Sequence, residues 1–278
     1  MKFLIKFILI LVFLFLSFQK AFAEEIKFIQ ISDSHLSINS SAPTQREVGG
    51  SKDSLEKAIK DINSIKNVDF IIFTGDNIDT ANSDDLKQFL KMANKLKAPY
   101  YVVIGNHEVF KSQDLTKKDY MKIVRRYSKN CRPKGANYVF KKKGIIFLVV
   151  DGAKEVIPGP SGYYKKDTLK WLDKKLTKYK NIKVVIFQHF PLIEPYHHRT
   201  HKTYNAEAYE KVLEKHNNVI GIFSGHYHAN NEFKKDGVYR INSPALVEPP
   251  HNYKIVEIKY NKTNNKDIQV YTMLRHAQ

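Results

Sequence analysis

The stretch Gly221-Ile-Phe-Ser-Gly-His-Tyr-His-Ala229 sets two histidines, His226 and His228, one residue apart directly after an apolar run. Four other segments end in the same way: "QISDSHL" with Asp33 and His35, "FTGDNID" with Asp76 and Asp79, "VIGNHE" with Asn106 and His107, and "FQHFP" with His189. Imidazoles, carboxylates and an amide oxygen are donors that divalent zinc, manganese or iron accept from proteins. A single Asp-x-His says little, because most histidines at strand ends are ordinary half-buried imidazoles. The set says more. One carboxylate can bridge two ions about 3.5 to 4 Å apart, and these five segments together hold a ligand set large enough for two.

Such a set works only if the chain brings five separate segments to one place. Short apolar runs predict strands over 27–31, 70–74, 100–104, 145–150, 184–187, 219–223, 238–242, 253–258 and 268–273, and helical periodicity predicts helices over 52–65, 84–96, 117–127, 166–178 and 206–216. Leu169, Leu172, Leu176 and Tyr179 carry the fourth helix at three- and four-residue spacing. Alternating strands and helices indicate a layered α/β domain. The last third runs strand after strand, so antiparallel pairing and a second sheet are expected there. The run Lys141-Lys142-Lys143 reads as a solvated hairpin turn. In α/β sheets ligands gather at the carboxyl ends of strands, which is where all five segments fall. Gly75, Gly105 and Gly225 would let the backbone turn sharply there.

The chain opens with Lys2 and Lys6 before an apolar run from Phe7 to Phe18, then the small-x-small triplet Ala21-Phe22-Ala23. The run is short for a membrane span. Residues 1–23 are therefore expected to be a cleaved signal peptide, with an uncleaved anchor as the alternative, 24–278 one domain, and the location secreted or periplasmic, with no membrane span left after cleavage. The single cysteine, Cys131, cannot make an intrachain disulfide. The net charge of +18 falls by three lysines with the leader and stays strongly basic, which favours an anionic substrate or an anionic envelope surface. No basic stripe interleaved with aromatics appears, so specific nucleic-acid binding is not expected.

In order, Asp-x-His, Gly-Asp, Gly-Asn-His-Glu, a lone His and Gly-His-x-His resemble the motifs of the calcineurin-like metallophosphoesterases, from Asp33 to His228. The resemblance implies a four-layer αββα sandwich, two mixed β-sheets flanked by helices, and a hydrolase of phosphate esters with two divalent ions (Mn, Zn or Fe). It implies that Asp33, His35 and His228 hold one ion, that Asn106, His189 and His226 hold the other, and that Asp76 bridges them. A metal-bridging hydroxide would then be the nucleophile, His107 the general acid at the leaving oxygen, and Asp79 the acid that orients His107.

Departures narrow the branch. The tyrosine of purple acid phosphatases is replaced by Asp79, the Asp-Arg-Gly of protein Ser/Thr phosphatases by Asp79-Thr80-Ala81, and the arginine common in lipid-A-precursor hydrolases by His107. "ISDSHL", "GDNID", "SGYYKKDTLKWLDKKL" and "INSPAL" look more like the bacterial branch that includes cyclic-nucleotide phosphodiesterases. A phosphodiesterase is expected, with a phosphomonoesterase or a non-catalytic scaffold of the same fold as alternatives. The loops after His189 and His228 would set specificity, with Arg199, His201 and Tyr253 as candidate substrate contacts.

Overall fold

The structure, a computed structural model, describes residues 24–38, 48–109, 115–157, 159–260 and 268–277. The expected signal segment, residues 1–23, lies outside the described residues. The first sheet has five strands: β1 (Glu24–Ile31), β2 (Phe70–Phe73), β3 (Tyr100–Val102), and the late pair β10 (Asn252–Tyr260) and β11 (Ile268–His276). Their order is β11-β10-β1-β2-β3; β1, β2 and β3 run parallel, and β10 returns antiparallel to β1. The second sheet has β4 (Tyr138–Lys142), β5 (Ile145–Val149), β6 (Val184–Phe187), β7 (Val219–Ser224), β8 (Asn231–Lys235) and β9 (Val238–Asn242), in the order β4-β5-β6-β7-β9-β8.

Every strand and helix predicted from the sequence is present, with ends moved by a few residues. Two strands are additional. β4 takes in Lys141 and Lys142, so the turn shrinks to Lys143 and Gly144, both left-handed. β8, "NEFKK", is a largely exposed edge strand without apolar alternation, and so resembles a loop in sequence. The late strands are not all antiparallel, since β9 pairs parallel to β7 while β8 folds back against β9.

Burial on both faces explains the uninterrupted apolar runs. In β5, Ile145, Phe147 and Val149 face the first sheet, and Ile146 and Leu148 face the outer helices. Between the sheets lies an aromatic layer: Phe28 meets Phe187 edge-on at 5.5 Å and Phe70 meets Phe147 at 5.0 Å. Helices α1 (Ser51–Ile62), α2 (Ser83–Ala93) and α3 (Lys117–Tyr127) pack Leu55, Phe89 and Tyr120 into the core of the first sheet. On the other side α4 (Lys166–Lys178) and α5 (Ala206–Leu213) pack Leu172, Leu176 and Tyr209 onto the second. The result is the four-layer αββα sandwich, with the carboxyl ends of β1, β2, β3, β6 and β7 opening at one end. Among the described residues no helix is long and apolar enough to cross a membrane.

Candidate metal centre

Five loops leave those strand ends. β1 delivers Asp33 and His35, β2 Asp76, β3 Asn106 and His107, β6 His189, and β7 His226 and His228. Asp33 (φ 52°), His35 (φ 41°), Asp76 (φ 49°), His226 (φ 74°) and His228 (φ 53°) all sit in left-handed backbone. Each such residue costs on the order of 1–3 kcal/mol and persists only where its surroundings over-determine it. Here the loops brace one another. Asp33 N–H donates to the Gly75 carbonyl (3.1 Å), His35 N–H to the Asp76 carbonyl (2.9 Å), Gly225 N–H to the His189 carbonyl (3.0 Å) and His226 N–H to Asp33 Oδ2 (3.0 Å).

The glycines serve this crowding more than any turn. Of Gly75, Gly105 and Gly225 only Gly75 has a positive φ, +97°. A Cβ on Gly105 would collide with the Asp76 carboxylate, and one on Gly225 with Ser32 and Asp33.

Side-chain donors fall into three groups whose ligand atoms lie within 4.8 Å of one another: Asp33-His35-His228, Asp76-His189-His226, and His35-Asp79-His107, which shares His35 with the first. In each of the four histidines of the first two groups one ring nitrogen faces an oxygen outside that group. His189 Nδ1 donates to the Thr74 carbonyl (2.8 Å), His226 Nε2 to the His201 carbonyl (2.9 Å) and His228 Nδ1 to Glu248 Oε1 (2.5 Å), while His35 Nδ1 lies 3.2 Å from Asp79 Oδ1. The three hydrogen bonds fix the tautomers of His189, His226 and His228 and leave the other nitrogen of each ring to its group. His189 Nε2 lies 3.1 Å from Asp76 Oδ2 and 3.2 Å from Asn106 Oδ1; His228 Nε2 lies 3.4 Å from His35 Nε2 and 3.5 Å from Asp33 Oδ1.

Electrostatics make the same demand. Burial alone would lower both imidazoles, yet Asp76 pushes His189 up to about 9, and Asp33 and Glu248 push His228 up to about 10. Burial opposes ionisation of Asp33 too, but His228 holds it at about 2. Burial keeps His35 neutral, down to about 4, and His226 well below its ordinary range. In each of these two groups one imidazole, His228 in the first and His189 in the second, is thus drawn toward positive charge by its carboxylate while the other stays neutral. A divalent cation answers through the same lone pairs, so the residues fit a two-metal centre.

His107 stands beside this set, its N–H on Asp76 Oδ1 (2.9 Å) and its ring against His35. Its Nδ1 contacts the backbone carbonyl of Asp79 at 2.5 Å, whereas the Asp79 carboxylate is 3.8 Å away and closer to His35. Asp79 therefore touches His107 chiefly through its peptide group. Two acids were given no role in the sequence reading, although Glu108 closes its Gly-Asn-His-Glu motif. Glu108 is fully buried and accepts from the N–H groups of Gly105 (2.6 Å), Asn77 (2.5 Å) and Asp76 (3.1 Å). Burial and the neighbouring Asp76 raise it to about 8. Glu248 is the partner of His228; its only sequence signal was a place in the loop after Gly-His-x-His.

Of the expected substrate contacts, His201 lies at the site, its ring 5.0 Å from that of His226. Arg199 is exposed on the same loop. Tyr253 is not brought there: it is buried, with its hydroxyl on Asp61 Oδ2 (2.6 Å), because its face of β10 turns toward α1.

Fold and centre together define a metal-dependent hydrolase of phosphoric esters. The model of the calcineurin-like phosphoesterases matches residues 26–230, and the chain belongs to that family, whose members use dinuclear divalent metals. It is 25% identical over 217 residues to a probable glycerophosphodiester phosphodiesterase of Arcobacter nitrofigilis, covering 72% of this chain and 71% of the relative. To a probable cyclic nucleotide phosphodiesterase of Xenorhabdus bovienii it is 25% identical over 235 residues, covering 80% and 86%. A crystal structure of a dimetal phosphatase from Danio rerio superposes with a TM-score of 0.67 at 18% identity, covering 91% of this chain and 99% of that one. That likeness is one of fold.

Proposed function

We propose that the chain is an exported phosphodiesterase. Asp33, His35 and His228 would hold one divalent ion, Asn106, His189 and His226 the other, and Asp76 would serve both. The observation that carries this reading is the convergence of four imidazole nitrogens, each ring with an oxygen behind it, on Asp33 and Asp76. When bound, two such ions supply neutralising charge for phosphoryl oxygens and a more acidic water. The protein's own residues set the geometry and move the proton. His107, partly open to solvent and anchored through Nδ1, presents Nε2 to a leaving oxygen and donates a proton to it.

Diester preference rests on the phosphodiesterase names of the relatives. Export rests on the leader-like first 23 residues. The mass of the protein recovered from an expressing cell tests cleavage before Glu24. Residues 24–278, stripped by chelation and given manganese, zinc or iron, should hydrolyse bis(p-nitrophenyl) phosphate in preference to p-nitrophenyl phosphate. Preference for the monoester would make it a phosphatase. No turnover with two ions demonstrably bound would make it a scaffold.

A further inference from the structure

Among the described residues ten large hydrophobic side chains are exposed, and five of them stand on two loops at the catalytic end: Val156, Ile157 and Tyr163 after β5, Tyr196 and Tyr204 after β6. Val156 and Ile157, neighbours in sequence, are the most exposed of all, at 86% and 76%. Single exposed apolar residues are ordinary, but an adjacent aliphatic pair held out beside tyrosines is not.

The two loops form one surface. Gly162 N–H donates to the Lys202 carbonyl (3.2 Å) and Tyr204 N–H to the Gly162 carbonyl (3.0 Å), while Lys154 and Lys202 each place Nζ 5.5 Å from the centre of the Tyr204 ring. This surface borders the metal centre. The His201 carbonyl takes the His226 ring N–H, and the Tyr196 hydroxyl donates to the Tyr227 carbonyl (3.0 Å).

Charge accompanies the apolar groups. The loops 150–165 and 188–205 carry Lys154, Lys165, Arg199 and Lys202 against Asp151, Glu155 and Glu194, of which Asp151 is paired with Lys117, Glu155 Oε1 is turned onto the Lys117 N–H (2.9 Å) and Glu194 Oε2 takes the His198 N–H (3.3 Å). Aliphatic side chains that enter the acyl boundary, tyrosines at headgroup level and lysines that meet anionic lipid are the combination an interfacial protein uses. A nucleic acid would leave Val156 and Ile157 unexplained.

We infer that this rim docks on an anionic lipid bilayer, with Val156 and Ile157 inserted, and so faces the metal centre toward phosphate esters displayed at that surface. The inference about substrate rests on the phosphodiesterase reading; the docking itself does not.

The test is co-sedimentation of the processed, metal-loaded protein with vesicles of phosphatidylglycerol mixed into phosphatidylcholine, or of phosphatidylcholine alone. Binding should require phosphatidylglycerol and weaken with salt. The double variant Val156→Ser, Ile157→Ser should bind about tenfold less or weaker still, while its turnover of bis(p-nitrophenyl) phosphate matches the parent. Equal binding by parent and variant would reduce the interaction to nonspecific charge and overturn the proposal. So would equal binding to neutral vesicles. Failure to bind any vesicle would also overturn it and assign the exposed pair to a protein partner. Loss of diester activity in the parent would strike the function proposed above and leave the vesicle result to be read by itself.

Discussion

Glu108 and Asp76 are joined through the backbone: Glu108 Oε2 accepts the Asp76 N–H at 3.1 Å, while Asp76 Oδ1 accepts the His107 N–H at 2.9 Å. Glu108, whose oxygens take the backbone N–H groups of Gly105, Asp76 and Asn77, thus braces the loop that carries the Asp76 carboxylate. Both Glu108 oxygens are in use, so even the isosteric Glu108→Gln turns an amide N–H₂ onto backbone N–H groups. It should cost about 2–3 kcal/mol in urea denaturation, as much as leaving the buried groups unpaired.

His107 and His226 should separate under mutation. His107→Ala should keep both ions by metal analysis and lose about 10²–10⁴ in kcat. His226→Ala should lose an ion. Near-normal turnover in metal-replete His107→Ala would remove that residue from proton transfer.

Glu248 holds His228 Nδ1 at 2.5 Å and, on the proposed ligand assignment, positions that imidazole. Glu248→Ala should weaken one of two binding events about 10- to 100-fold by calorimetry and leave the second unchanged.

Gly225→Ala forces a methyl group into Ser32 and Asp33. Far-ultraviolet circular dichroism should stay the same, while affinity for the ion held by Asp33 falls about tenfold or more, because a small displacement of the carboxylate opens the ligand set.

A pH effect arises far from the centre. Arg275 grips both oxygens of Asp61, Nε on Oδ2 at 2.7 Å and Nη2 on Oδ1 at 2.5 Å, and Tyr253 adds a third bond, so Arg275 first and Tyr253 after it hold the Asp61 carboxyl below its ordinary value. A depressed carboxyl contributes stability above its unfolded value of about 3.9, and loses it as pH falls through the folded value. Asp61→Asn should cost about 1–3 kcal/mol at neutral pH and flatten the acid limb of the stability curve below about pH 4. An unchanged acid limb would show that the clamp is energetically silent.

The centre was legible because its ligands are polar residues placed directly after apolar runs. His189 stands out behind "VVIF" as it would not in a loop. Glu108 and Glu248 were less legible in role: Glu108 closes the Gly-Asn-His-Glu motif but satisfies backbone donors, and Glu248 satisfies an imidazole, a task that leaves no spacing in the sequence. Tyr253 looked like a rim residue by proximity to Gly-His-x-His, but strand alternation sends it to the opposite face. β5 and β6 announced themselves as runs buried on both faces, while β8, half solvated and lysine-rich, did not.

Each of the two ligand triads draws from both sheets: Asp33 and His35 from the first join His228 from the second, and Asp76 joins His189 and His226. A cation in either place is thus a rivet through the sandwich. It can close only when the two sheets stand in register, which makes tight metal retention a report on assembly. Chelation should loosen the aromatic seam between the sheets before it unravels either one.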